Sequence, residues 1–100
     1  MLERGGYGQF CPVSMAAEVL CTRWTPLIVR ELLCGTTRFN DLRRGVPRMS
    51  PALLSKRLKD LEKAGIVTVA RQAGTVEYNL TPAGEDLREI IMGFGFWGAR

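Results

Sequence analysis

The chain contains no histidine. That removes the side chain most used as a general base near neutral pH and the commonest metal ligand. Cysteine is scarce as well: Cys11, Cys21 and Cys34 are three in 100 residues, an odd number at irregular spacing. Such a set makes neither a disulfide framework nor a zinc site. No apolar run approaches the roughly 20 residues that span a bilayer, and no signal-peptide pattern opens the chain. The Gly-x-Gly at Gly93 and Gly95 lies in an apolar helix end, not after a strand, so it is no phosphate loop. There is no internal repeat and no linker. These absences argue against an enzyme, a cofactor, a metal site and a membrane partner. They point to a cytoplasmic protein whose thiols are reduced at rest.

What remains is ordinary for a folded domain: 46% hydrophobic and 24% charged residues, with a net charge of +4. One hundred residues suit a single small domain, and the positive balance favours an anionic partner without demanding one. Residues 1–11, with Gly5, Gly6 and Gly8, read as a loose N-terminal arm.

Residues Met49 to Gly65 are the most informative stretch. Ser50 before Pro51 is an N-cap followed by proline at the first helical position, where its missing N–H is harmless. Gly65 is the stop signal. Leu54, Leu58 and Leu61 recur at helical spacing and form one buried stripe. The opposite side carries Ala52, Lys56, Lys59 and Lys63, flanked by Ser55. A slim, cationic outer face suits the DNA major groove, because small side chains permit close approach and lysines meet phosphates. Cationic faces on surface helices are also commonly just solvated, so the neighbouring elements have to decide.

Ahead of it the pattern predicts three helices. The first is capped by Ser14, with Met15, Val19 and Leu20 apolar. The second runs from about Arg23 to Cys34, carries Pro26 in its first turn and stops at Gly35. The third is short, from Phe39 to Arg44, and ends at Gly45. Behind it, Val67–Arg71 and Val76–Leu80 read as two strands joined through Gln72-Ala73-Gly74-Thr75. Thr81-Pro82 then opens one last helix with Leu87, Ile90, Ile91, Phe94 and Trp97 apolar. The order is mainly α with a small β-hairpin: a winged helix-turn-helix with an extra helix at each end. In that setting DNA binding becomes the favoured reading of the Leu54 helix.

Six short words, in order, carry a family likeness. They are Cys11-Pro12-Val13; Arg23-Trp24-Thr25 with Leu27-Ile28-Val29-Arg30-Glu31-Leu32; Arg38-Phe39-Asn40-Asp41-Leu42; Met49-Ser50-Pro51; Leu54-Ser55-Lys56-Arg57-Leu58-Lys59-Asp60-Leu61-Glu62; and Glu77-Tyr78-Asn79-Leu80-Thr81-Pro82-Ala83-Gly84. From Cys11 to Trp97 the chain resembles the HxlR-type, MarR-related bacterial transcriptional regulators. The resemblance implies homodimers that bind two operator half-sites on double-stranded DNA, with the first and last helices making the dimer. Ile90, Ile91, Phe94 and Trp97 are then the candidate interface; the bland alternative is that they complete the monomer core. Two recognition helices on a two-fold axis would enter major grooves roughly 34 Å apart.

Candidate DNA contacts are Ser50, Pro51, Ala52, Ser55, Lys56 and Lys59, with Ser50 serving equally as a plain N-cap. Arg38 either reaches the DNA backbone or binds a carboxylate such as Asp41. Arg43 and Arg44 suit the dipole at the end of the third helix. The wing departs from the family pattern: Arg71 is its only cation and its one candidate minor-groove contact. The resemblance also implies a role for Cys11 as a sensor of quinones, aldehydes or hypochlorite, since a thiol at a helix N-terminus reacts more readily as the thiolate. The alternative is a cysteine that packs and senses nothing. Cys21 and Cys34 read as small core fillers.

Two other functions fit these residues. A regulator gated by a small ligand between the dimer helices would keep its response without Cys11. A winged-helix module that docks protein would lack the steep salt dependence of DNA binding. The last helix has no stop signal at Trp97-Gly98-Ala99-Arg100, which leaves a natural short form and a piece of a longer two-domain regulator equally open.

Overall fold

A computed structural model describes residues 11–100; apart from Cys11, the expected loose arm lies outside the described residues. Six helices and one hairpin follow in order: α1 (Pro12–Leu20), α2 (Thr25–Leu33), α3 (Phe39–Gly45), α4 (Pro51–Lys63), β1 (Val67–Gln72), β2 (Thr75–Leu80), α5 (Pro82–Glu85) and α6 (Arg88–Gly98). This is the expected winged helix-turn-helix flanked by extra helices. Among the described residues no helix is long and apolar enough to cross a membrane.

The core sits behind α4. Leu54, Leu58 and Leu61 are buried there with Ile28, Val29 and Leu32 of α2, Leu42 of α3, and Val46, Met49, Ile66 and Val67. The leucine stripe read from spacing is therefore the inner face of α4, and it fixes which face looks outward. α4 begins as expected: the Ser50 hydroxyl accepts from the Leu53 N–H at 3.1 Å and Pro51 follows in the first turn. Gly65, at φ 79°, takes the left-handed turn that ends the helix.

Four expectations need correction. The cap of α1 is Cys11, not Ser14, because Pro12 occupies the first helical position and needs an extended residue before it. Trp24 adopts a left-handed φ of 78°, so α2 starts at Thr25 rather than Arg23. Cys21 and Cys34 are not core fillers: they are the C-caps of α1 and α2, and both are exposed. The single last helix is two. α5 is a four-residue turn seated on the hairpin base, and the chain bends at Asp86 and Leu87 before α6 begins.

The seat of α5 explains that break. Thr81 caps it by accepting from the Gly84 N–H at 3.1 Å, while the same hydroxyl donates to the Gly65 carbonyl at 2.6 Å. Gly84 is buried so tightly against the Ile66 carbonyl and Leu80 that a side chain would not fit. A straight continuation is abandoned so that Leu87 and Ile91 can turn towards the core.

The hairpin pairs Val67 with Leu80 through to Gln72 with Thr75, one residue longer per strand than read from the sequence. Ala73 and Gly74, at φ 49° and 80°, form the two-residue turn. The wing is tied to the body at its root. The Tyr78 N–H donates to the Thr37 carbonyl at 2.8 Å, and Arg38 Nε lies 3.4 Å from Glu77 Oε2.

Candidate nucleic-acid interface

With its leucine stripe inward, α4 leaves Pro51, Ala52, Lys56, Lys59 and Lys63 exposed, and Ser55 stands half-buried at the margin. Five of the six contact candidates on this helix, Pro51, Ala52, Ser55, Lys56 and Lys59, thus share one outer surface. Ser50 lies at its N-terminal edge, exposed, with its hydroxyl already engaged as the cap. The lysines are not equivalent. Lys56 Nζ is 3.3 Å from Asp60 Oδ2, one turn on, whereas Lys59 and Lys63 make no ion pair among the described residues. A phosphate approaching Lys56 competes with a carboxylate; one approaching Lys59 does not.

Arg38 pairs with Glu77 of the wing, not with Asp41, whose partner is Arg44 within α3. The cause is direction: Arg38 precedes the helix in extended conformation, at φ −100° and ψ 143°, and so faces β2 rather than the helix turn after it. About half of the Arg38 side chain remains exposed beside this pair. Arg71, on β1 just before the turn, is exposed and unpaired among the described residues. One cation that the spacing argument left aside is Arg57. It lies at the edge of the leucine stripe, only 16% exposed, and its Nε donates to the Arg23 carbonyl at 3.2 Å.

α6, which packs on α2, buries none of its residues completely. Phe96 and Trp97 are 73% and 75% exposed, and Ile90, Met92 and Phe94 are about half exposed. Ile91 differs from the other interface candidates: it packs on the core beside Leu87. Pro26, Leu27 and Arg30 of α2 and Ile91, Phe94 and Gly95 of α6 line a shallow groove of about 240 Å³.

Cys11 is exposed at the N-terminus of α1. Its Sγ accepts from the Ser14 N–H at 3.3 Å and lies 3.3 Å from the Ser14 hydroxyl, which donates to the Cys11 carbonyl at 2.9 Å. The Ser14 hydroxyl, whose proton can turn from the Cys11 carbonyl to a thiolate, and then the Ser14 backbone N–H hold the thiol pKa below the ordinary value, because both favour the negative sulfur. Iodoacetamide alkylation of Cys11 should accordingly rise with pH through a midpoint below that of a free thiol. Ser14→Ala should move that midpoint upward, since it removes the larger of the two contributions. A pH–rate profile of the Cys21→Ser/Cys34→Ser protein measures it, and an unmoved midpoint would remove Ser14 from the account.

A family model for the HxlR-like helix-turn-helix matches residues 19–100. The chain belongs to that family. It is 36% identical over 93 residues to YvaP of Bacillus subtilis (strain 168), an uncharacterized HTH-type transcriptional regulator, covering 89% of this chain and 86% of that one. It is similar in structure to the redox regulator HypR in its reduced form, with a TM-score of 0.80, 33% identity, and 89% and 91% of the two chains covered. It also matches the crystal structure of PA1607 at a TM-score of 0.83 and 30% identity, over 89% of this chain but 63% of that one. This HxlR-like chain is a transcriptional regulator with a DNA-binding helix-turn-helix, and the family is not one of enzymes.

Proposed function

We propose that this regulator acts in the cytoplasm as a homodimer, reads two operator half-sites with α4, and is switched by thiol chemistry at Cys11. The carrying observation is the setting of Cys11, an exposed thiol at a helix N-terminus whose Sγ accepts the Ser14 N–H and lies beside the Ser14 hydroxyl, with its pKa held below the ordinary value. The likeness to HypR, a redox regulator, supports the same reading. With hypochlorous acid the thiolate sulfur takes up the hydroxyl oxygen and chloride leaves, giving a sulfenic acid. With a quinone the sulfur adds to a ring carbon and the ring, gaining a proton, becomes the hydroquinone.

Either product destroys the cap: Sγ no longer accepts the Ser14 N–H as a thiolate, and the start of α1 must rearrange. The apolar face of α6, with Ile90, Phe94 and Trp97, together with Val13 and Met15 of α1, forms the surface we assign to the partner copy. A change at α1 then alters how the two α4 helices are spaced. Ser50, Pro51, Ala52, Ser55, Lys56 and Lys59 face the major groove. Arg71 reaches the minor groove, and Arg38 braces the wing while keeping half its surface for the backbone.

The test is a gel-shift titration against the DNA upstream of the protein's own gene, reduced and after hypochlorite, with Cys11→Ser alongside. Wild-type binding should fall at least about tenfold on oxidation, while Cys11→Ser stays within about twofold of its reduced value. Equal responses from both proteins would discard the Cys11 switch and leave a second reading, gating by a small ligand. The groove between α2 and α6, lined by Leu27, Ile91 and Phe94, is the feature that favours that reading.

A further inference from the structure

Arg57 is a cation held largely out of water, yet it faces neither the groove-reading surface nor a carboxylate alone. Its Nε donates to the Arg23 carbonyl at 3.2 Å, and its Nη1 lies 3.6 Å from Asp60 Oδ2. That carbonyl belongs to the corner where α1 turns into α2. The corner is strained: Trp24 holds a left-handed φ of 78°, a conformation that L side chains rarely adopt. It is kept there by the Thr25 N–H on the Thr22 carbonyl and the Ile28 N–H on the Trp24 carbonyl, both at 3.0 Å, and by the Arg23 guanidinium 5.5 Å from the Trp24 ring centroid. Beside it α1 and α4 do not close on each other. A gap of about 170 Å³ separates Glu18, Val19 and Thr22 from Arg57, Asp60 and Leu61. Arg57 spans this region as a strut, not as packing.

Asp60 makes the strut sensitive to what happens on the outer face. The same Oδ2 serves Lys56 at 3.3 Å and Arg57 at 3.6 Å. A phosphate that draws Lys56 away leaves Asp60 to Arg57 alone.

We infer that Arg57 is a positioning residue that couples the α1–α2 corner to the DNA-reading helix, with Asp60 as the counter-ion shared between strut and reading face. DNA held by Lys56 frees Asp60 to fix the Arg57 side chain, and the fixed side chain steadies the Arg23 carbonyl. By reciprocity, a displacement of α1 that moves this carbonyl releases Arg57, rearranges Asp60 and changes the readiness of Lys56 for phosphate. The inference rests on the DNA-binding reading of α4 and adds the route by which α1 reaches it.

Amide hydrogen exchange of the full chain, free and saturated with a duplex selected from a random pool, tests it. In the wild type, DNA should slow exchange at the Thr22–Ile28 corner by about fivefold or more, the lower end of measured couplings. Arg57→Ala should still bind the duplex and lose this slowing, with exchange in the β1–β2 hairpin unchanged between wild type and variant. Asp60→Asn keeps the Arg57–Arg23 bond and should retain the resting protection of the corner while losing the DNA-dependent part. It carries the test should Arg57→Ala fail to fold. Slowing of the corner that survives in the variants, or its absence in DNA-bound wild type, overturns the strut. Selection that returns no bound duplex overturns the DNA reading of α4, and the strut with it.

Discussion

Gly84→Ala should lower the stability of the fold by about 2–3 kcal/mol, the upper part of the range for overpacking a filled site. A Cβ at this position would run into the Ile66 carbonyl and the Leu80 side chain. A flexible side chain could step aside; a backbone carbonyl cannot, and this one also accepts the Thr81 N–H at 2.9 Å. Relief would mean lifting α5 from the hairpin base, which would break the Thr81 cap and drag Leu87 and Ile91 from the core. In thermal unfolding the loss should appear as a midpoint lower by roughly 10–20 °C for a domain of this size. Gly93, by contrast, has open space around it, so Gly93→Ala is the matched control for the helix-forming preference of alanine. A Gly84→Ala protein as stable as wild type would mean that α5 does not sit against Ile66.

Removing Lys56 and Lys59 together should cut DNA affinity and flatten its salt dependence. Each phosphate contact adds about 0.9 to the slope of log affinity against log salt, so the double variant should lose up to about 2 of slope. The singles should be unequal. Lys59 makes no ion pair among the described residues and offers its charge outright, whereas Lys56 must first leave Asp60 at 3.3 Å. Lys59→Ala should therefore weaken binding more than Lys56→Ala, uniformly across DNA sequences, because phosphates carry no sequence information. Fluorescence anisotropy over a salt series measures both quantities. Slopes that match wild type would move the phosphate contacts off this face of α4.

How much of this was legible in the sequence follows from how local each signal is. α4 was readable from end to end because Ser50, Pro51, the three leucines and Gly65 act within one helix and its caps. The hairpin was readable because β-branched residues flank a single turn. The break after α5 was not, since Thr81-Pro82 announces a helix and the apolar positions from Leu87 onward continue one. Only the seat of Gly84 on Ile66, 18 residues earlier, separates α5 from α6. Arg38 went to Glu77 rather than Asp41 for the same reason: the strand that supplies Glu77 is distant in sequence. Arg57 had a signal that could have found it. At about 100° per residue it falls some 60° from Leu54 and flanks the buried stripe, so it belongs to the margin of the helix and not to its cationic face. The cap of α1 went to Cys11 because proline at Pro12 outranks serine at Ser14 as a start signal.

The brace at the root of the wing bears on the DNA itself. The Tyr78–Thr37 bond and the Arg38–Glu77 pair join β2 to the entry of α3, and Val67 at the start of β1 shares the core with Leu54, Leu58 and Leu61 of α4, so hairpin and reading helix form one stiff unit. A stiff reader does not adjust to a duplex whose grooves are set differently, and the cost of misfit falls on the duplex. Base steps that bend or narrow easily are then favoured at positions that no side chain touches. If α4 reads DNA as proposed, part of the operator preference should accordingly lie in the deformability of the duplex between the two contact points, beyond hydrogen bonds to base edges.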